Sequence, residues 1–148
     1  MDACTTRLAV IADKQNVIDL WRRCNLTRPW NNPSHDYEFA LSGSSSAIIV
    51  LENGGDLMGA AMVGHDGHRG AVYYVGVEPD GRGQGLGRTL MSAVESWLRD
   101  QGVWKLNLLV REDNKAVVSF YEALGYVDQK CIAMGKRLDG KLDRSNEA

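Results

Sequence analysis

The chain has 148 residues, 44% hydrophobic and 24% charged, which suits one domain that buries its own core without disulfides or a structural metal. Its 17 Lys and Arg against 19 Asp and Glu give a net charge of -2, so no overall field draws it to nucleic acid or an anionic membrane. The start, MDACTTRLAV, carries no apolar run behind a basic end, and no stretch is long and apolar enough to span a bilayer, so a cytoplasmic protein is expected.

Thr6–Ile11 reads as a first strand. Asp13 stands as an N-cap, after which Val17, Leu20, Trp21 and Cys24 recur at helical spacing. The Asn- and Pro-rich segment NLTRPWNNPSHD breaks that helix into an exposed loop, followed by a short helical piece around Tyr37–Leu41. In SAIIVLENGGDLMGAAMVG two β-rich runs flank Asn53-Gly54-Gly55-Asp56, residues that supply the positive φ of a tight hairpin. The polar turn HDGHRG leads to a third β-rich run, AVYYVGV. Further on, Leu86, Leu90, Met91, Val94, Trp97 and Leu98 form one helical stripe that Gly102 stops. WKLNLLV reads as a strand, NKAVVSFYEAL as a helix capped by Asn114 and closed by Gly125, and VDQKCIAMGKRL as a last β segment. The order is βα(α)βββαβαβ. Cys4, Cys24 and Cys131 lack paired spacing and read as buried or free thiols. His65 and His68 sit in a polar turn with no third ligand, so no metal is expected.

Between the third strand and the long helix lies EPDGRGQGLGRTL, with glycine at every second position from Gly81 to Gly87. Such spacing lets a backbone approach a ligand without Cβ collisions and lets successive N–H groups turn to one side. With a helix start behind it and Arg82 and Arg88 at its mouth, the stretch is either a plain strand-to-helix turn or a nest for phosphate. The common nucleotide loops do not fit. After Gly83 and Gly85 the dinucleotide pattern requires a glycine where Arg88 stands, and no G-K-[ST] triplet occurs.

What fits is Arg82-x-x-Gly85-x-Gly87 after the strand end Val77-Glu78-Pro79, together with NKAVVSFYEALGY from Asn114 to Tyr126. The first resembles the acyl-CoA loop of the GNAT acetyltransferase superfamily, R/Q-x-x-G-x-G/A after V-x-P. The second is similar to that family's N-x-x-A-x-x-x-Y-x-x-x-G-[FY] helix, matched at Asn114, Tyr121, Gly125 and Tyr126, with Val117 in place of Ala. RPWN, DGHRG and GKRL further resemble the small bacterial YpeA-type acetyltransferases. The motif resemblance covers Val72–Leu138, and the first half agrees in element order. Where relatives often carry an aromatic before the Arg, this chain has Gly81, which should loosen the turn.

The resemblance implies an α/β (α+β) GNAT fold. A central mixed, mostly antiparallel sheet with a V-shaped splay would be flanked by about four helices, in one domain over residues 1–138 with a polar tail at 139–148. It implies acetyl-CoA as co-substrate. Backbone groups of Val75 and Val77 would pair with the pantetheine arm, and Arg82, Gly83, Gln84, Gly85, Leu86, Gly87 and Arg88 would hold the pyrophosphate. Asn114 would either contact pantetheine or only cap its helix. Tyr121 would protonate the leaving thiolate as a general acid, unless it is simply a packed core tyrosine.

The reaction implied is direct attack by a primary amine of a small molecule or peptide. Protein N-terminal alanine acetyltransferases of the superfamily carry a Glu base where this chain has Leu109, which counts against a ribosomal-protein acceptor. Glu78, Tyr73, Tyr74 or a water remain as bases. Trp30, Asn31, Asn32 and Asp36 either line the acceptor side, with Asp36 orienting an ammonium, or merely build their own loop. Transfer to a protein N-terminus or lysine, and non-catalytic acyl-CoA binding, are the alternatives. Dimers are frequent in the superfamily, so a homodimer is possible.

Overall fold

β1 (Cys4–Leu8) opens the chain, and a 3-10 turn over Ile11–Asp13 passes into α1 (Lys14–Arg23) in the computed structural model, which describes residues 4–144. The chain divides into two units, Met1–Leu108 and Leu109–Ala148. Asp13 precedes α1 as expected, but its carboxylate turns back to accept Val10 N–H at 2.8 Å and the Arg7 guanidinium at 2.8 and 2.9 Å. α2 (Pro33–Ser42) begins earlier than the piece expected at Tyr37–Leu41. Asn32 caps it by accepting His35 N–H at 3.1 Å, and Pro33 presets φ at its first position.

β2 (Ser46–Asn53) turns through Gly54 and Gly55, with φ of 59° and 92°, into β3 (Asp56–His65). A second turn, in which Asp66 Oδ1 accepts the His68 and Arg69 N–H groups at 2.8 Å, leads to β4 (Gly70–Val77). α3 (Leu86–Asp100) and β5 (Leu106–Asn107) complete the unit. The sheet order is β1-β2-β3-β4-β5, antiparallel through β4, with β5 parallel to β4.

Helices cover both faces of this sheet. α1 and α2 lay Val17, Ile18, Leu20, Trp21, Tyr37 and Ala40 against Ile48, Val50 and Ala60. α3 packs on β2, β3 and β4 with Leu86, Leu90, Met91, Val94 and Leu98 buried. β2 is accordingly buried without interruption from Ala47 to Leu51 instead of alternating. α3 ends in a left-handed Gly102 (φ 84°), where Gly102 N–H donates to Arg99 O and Val103 N–H to Leu98 O, both at 2.9 Å.

β5 pairs with β4 only through Gly70↔Leu106 and Ala71↔Asn107. From Val72 to Val77 β4 has no strand beside it on that side among the described residues, which is the splay the resemblance implies. The Trp104–Val110 run expected as a strand therefore keeps ladder form only at Leu106–Asn107, where a neighbouring backbone is in hydrogen-bonding register.

In the second unit α4 (Lys115–Ala123) is capped by Asn114, whose Oδ1 accepts Val117 N–H at 3.3 Å. It stops as α3 does. Gly125 is left-handed (φ 96°), its N–H donates to Glu122 O, and Tyr126 N–H donates to Tyr121 O, both at 3.0 Å. The last β segment expected at Val127–Leu138 is not formed. Asp128 Oδ1 takes Lys130 N–H at 2.8 Å, Lys130 leaves the extended region at φ 56°, and Ile132, Met134 and Leu138 stand 91%, 92% and 92% exposed. Alternation alone makes no strand without a second backbone to satisfy its amides. Among the described residues no helix is long and apolar enough to cross a membrane.

Candidate active site

The loop after β4 divides into a packed half and an open half. Pro79–Gly81 form a 3-10 turn, with Gly81 N–H on Glu78 O at 2.9 Å. Gly81 is buried, and a Cβ there would stand 2.7 Å from Leu86 Cδ1 and 3.1 Å from Met58 Cε. The loosening expected from this glycine is thus not found: its missing side chain lets the turn seat tightly on Leu86. Gly83 and Gly85 differ. Their φ values are 83° and 78°, and a Cβ on either would meet nothing within 4 Å. They are needed for backbone conformation.

Arg82, Gly83, Gln84, Gly85 and Arg88 are exposed, while Leu86 is buried and pins the start of α3. Among the described residues, none of the N–H groups from Gly83 through Arg88 donates to a backbone or side-chain acceptor; the first donor of the helix is Thr89, to Gly85 O at 3.1 Å. A run of unpaired donors at the positive end of a 15-residue helix, with two arginines beside it, fits a phosphate or pyrophosphate group. Gly87 lies in the first turn of that helix.

β4 reaches this loop through an irregularity. Tyr73 pairs with Met62 and Gly76 with Ala60, so Ala61 faces both Tyr74 and Val75, a β-bulge. Glu78 N–H donates to Met58 O at 2.7 Å, which turns the backbone of residues 78 and 76 toward β3 and that of Val77 away from it. The Val77 carbonyl accepts the Cys24 thiol at 3.1 Å. Burial raises the Cys24 pKa, against the pull of nearby Arg82.

Two of the residues expected to line an acceptor side, Asp36 and Tyr74, are joined in the structure. Tyr74 adopts a left-handed φ of 55°, stacks on Trp21 with centroids 4.4 Å apart, and donates its hydroxyl to Asp36 Oδ2 at 2.7 Å. Burial first, then the Asp36 hydrogen bond, holds its phenol well above the ordinary value. The Trp21 indole Nε1 is buried without a partner among the described residues. Asn31 and Asn32 serve their own loop, through Asn31 N–H to Arg28 O at 3.1 Å and the Asn32 cap, and Trp30 is half-buried. Tyr73 is 52% exposed.

Of the possible bases, Glu78 has both oxygens on the Arg23 guanidinium, at 2.7 and 3.3 Å, and Tyr74 already donates to Asp36. In the second unit, Tyr121 is buried at 8% exposure between Phe120 and Tyr126, ring centroids 5.0 and 5.6 Å away. Burial pushes its phenol up to about 12. Among the described residues no three His, Cys, Asp or Glu side chains gather to hold a metal, and His65 Nδ1 accepts Gly67 N–H. Sequence reasoning missed the contacts of Arg23 with Glu78 and of Cys24 with the end of β4, each made from more than fifty positions away with no local signal.

The chain matches the Acetyltransferase (GNAT) family over residues 14–126. It is 48% identical over 126 residues to an acetyltransferase of Pectobacterium atrosepticum, covering 85% of this chain and 89% of that one. An uncharacterized N-acetyltransferase of Yersinia pestis is likewise 48% identical, over 85% and 89% of the two chains. Among solved structures, an aminoglycoside N-acetyltransferase in complex with CoA superposes with a TM-score of 0.80 at 16% identity, over 93% of this chain and 97% of that one. The ribosomal-protein-S18-alanine N-acetyltransferase of Escherichia coli gives 0.72 at 25% identity, over 83% and 77%. The glycine loop, the splayed sheet and these relatives agree: the chain is an acetyltransferase and belongs to the GNAT family.

Proposed function

We propose that this acetyltransferase moves the acetyl group of acetyl-CoA to a primary amine of a small molecule or peptide by direct attack. The observation that carries the reading is the row of N–H groups from Gly83 to Arg88 that donate to no acceptor among the described residues, in a loop exposed at Gly83, Gln84 and Gly85. They would hold the pyrophosphate, with Arg82 and Arg88 adding charge. The outward-facing backbone of Val77, and Val75 in the bulge beside it, would pair with the pantetheine arm where β4 lacks a neighbouring strand. Among the described residues the Asn114 amide nitrogen has no acceptor, Oδ1 being taken by the α4 cap, and it would donate to pantetheine.

The thioester supplies an activated acyl carbon. The amine must arrive neutral to attack it, forming the C–N bond as the C–S bond breaks. With Glu78 paired and Tyr74 already donating, Tyr73 or a water would take the amine proton. Trp30, Asn31, Asn32, Asp36, Tyr73 and Tyr74 would line the acceptor side. Tyr121 keeps its proton throughout the neutral range and offers it to sulfur as charge develops there. A phenol this weakly acidic gives the proton only as the bond cleaves, so donation and cleavage are coupled.

Tyr121→Phe should lower kcat for thiol release with a panel of amines by about 100-fold or more, the usual contribution of a general acid. Unchanged turnover in the variant would remove Tyr121 from the chemistry. Gly85→Val, which strains a left-handed position by about 1–2 kcal/mol, should abolish CoA binding by calorimetry while circular dichroism stays native. Intact binding would sink the cradle.

A further inference from the structure

Asp36 is a half-buried carboxylate whose one side-chain partner among the described residues is a neutral group. The other half-buried carboxylates of the first unit each face an arginine: Asp13 and Glu52 on Arg7, Asp19 on Arg22, Glu78 on Arg23 and Glu95 on Arg99. Asp36 has no cation among the described residues. Its Oδ2 accepts a neutral hydroxyl, that of Tyr74, and among those residues its Oδ1 accepts nothing. A carboxylate oxygen left open beside a fixed partner offers a cationic ligand a charge-assisted hydrogen bond.

Its orientation is also enforced. Tyr74 points at it from a left-handed backbone that bulky residues avoid, held by the Trp21 stack at the one place where the β3–β4 ladder is interrupted. The same strand continues into the glycine loop.

We infer that Asp36 anchors a permanent positive charge of the acceptor, so that the substrate is a diamine-class compound whose second, protonated nitrogen rests on the free Asp36 oxygen while the first reacts. This deepens the acetyl-transfer reading and rests on it. The anchored nitrogen is not the reacting one, because a carboxylate in contact with an ammonium holds its proton in place, whereas attack requires the neutral amine. The Tyr74 hydroxyl, which donates and brings no charge, fixes the carboxylate without cancelling it.

The test uses matched acceptors that differ only in the second ammonium, putrescine against n-butylamine and cadaverine against n-pentylamine. Wild type should prefer the diamine by about 10- to 100-fold in kcat/KM, chiefly through KM, the range of a charge-assisted hydrogen bond. Asp36→Asn still accepts from Tyr74, and should erase that preference, the diamine kcat/KM falling to the level of the matched monoamine. Tyr74→Phe breaks the same internal hydrogen bond but keeps the charge, and should retain the preference. Calorimetric titration of each diamine into protein without acetyl-CoA reads the anchor separately from transfer. Diamine binding lost in Asp36→Asn supports the inference even where CoA does not bind. Equal handling of both members of each pair by wild type overturns it, as does a preference surviving in Asp36→Asn. So does a loss in Tyr74→Phe as large as that in Asp36→Asn, which would make the contact structural. An equal fall in kcat for mono- and diamines in Asp36→Asn would identify a base instead, and overturns it too.

Discussion

Glycines that look alike in EPDGRGQGLGRTL act by different physics. Gly83 and Gly85 are required by φ and face open space, whereas Gly81 is required by contact, since its Cα lies where Leu86 and Met58 leave no room for a methyl group. Gly81→Ala should therefore destabilise the protein by about 1–3 kcal/mol, as overpacking of a filled site does. The nearest atom is the tip of a leucine, so the damage is repairable from the other side. Leu86→Val, itself costing about 1 kcal/mol, should recover part of the loss when combined with Gly81→Ala. Urea melts of the two single variants and the double variant give the coupling. Strict additivity would show that the turn moves as a whole and that the Leu86 contact does not set it.

At the scale of elements, what was legible followed from local chemistry and what was not followed from partners. The Gly-Gly hairpin, the α3 stripe, and both helices that end at a left-handed glycine announce themselves within a few residues. Part of the second motif is helix-end mechanics, because Gly125 and Tyr126 donate the two bonds that close α4. The glycine loop that opens α3 was readable as a strand-to-helix connection from its spacing. The bulge that turns Tyr74 toward Asp36 was not, since it depends on how β3 and β4 slip past each other. The segment Val127–Leu138 shows the converse failure: its alternation suits a strand, yet a strand is a property of two backbones. Asn114 separates two roles within one element. Asn114→Ala should cost about 1 kcal/mol through loss of the cap. Asn114→Ser keeps a capping oxygen but lacks the amide nitrogen, so thermal stability should return while CoA affinity stays about threefold to tenfold down, one hydrogen bond's worth. If affinity returns with stability, the cap is the residue's entire role.

Across the molecule, near-balanced charge leaves no net field to set the pH range of stability, and buried phenols set its alkaline edge. Tyr37 is wholly buried, donates to Val10 O at 2.6 Å, and is pushed up to about 12, first by burial and then by the Asp13 charge. Burial alone raises Tyr121 to about 12, and Tyr74 is displaced in the same direction. In the unfolded chain these phenols release their protons near 10. Between about 10 and 12 the unfolded state therefore binds fewer protons than the folded one, and rising pH favours unfolding. The contribution is fully present below about pH 10 and is lost on the way to about 12. Urea midpoints should accordingly fall steeply across that window, with the tyrosinate absorbance of these buried phenols appearing only as the chain unfolds. Tyr37→Phe cannot ionise, so its midpoint should start lower by the loss of the Val10 bond, about 1 kcal/mol, and then decline less steeply than wild type. Parallel curves for the two proteins would mean that Tyr37 ionises without unfolding the chain around it, and that burial of its ring does not hold its proton.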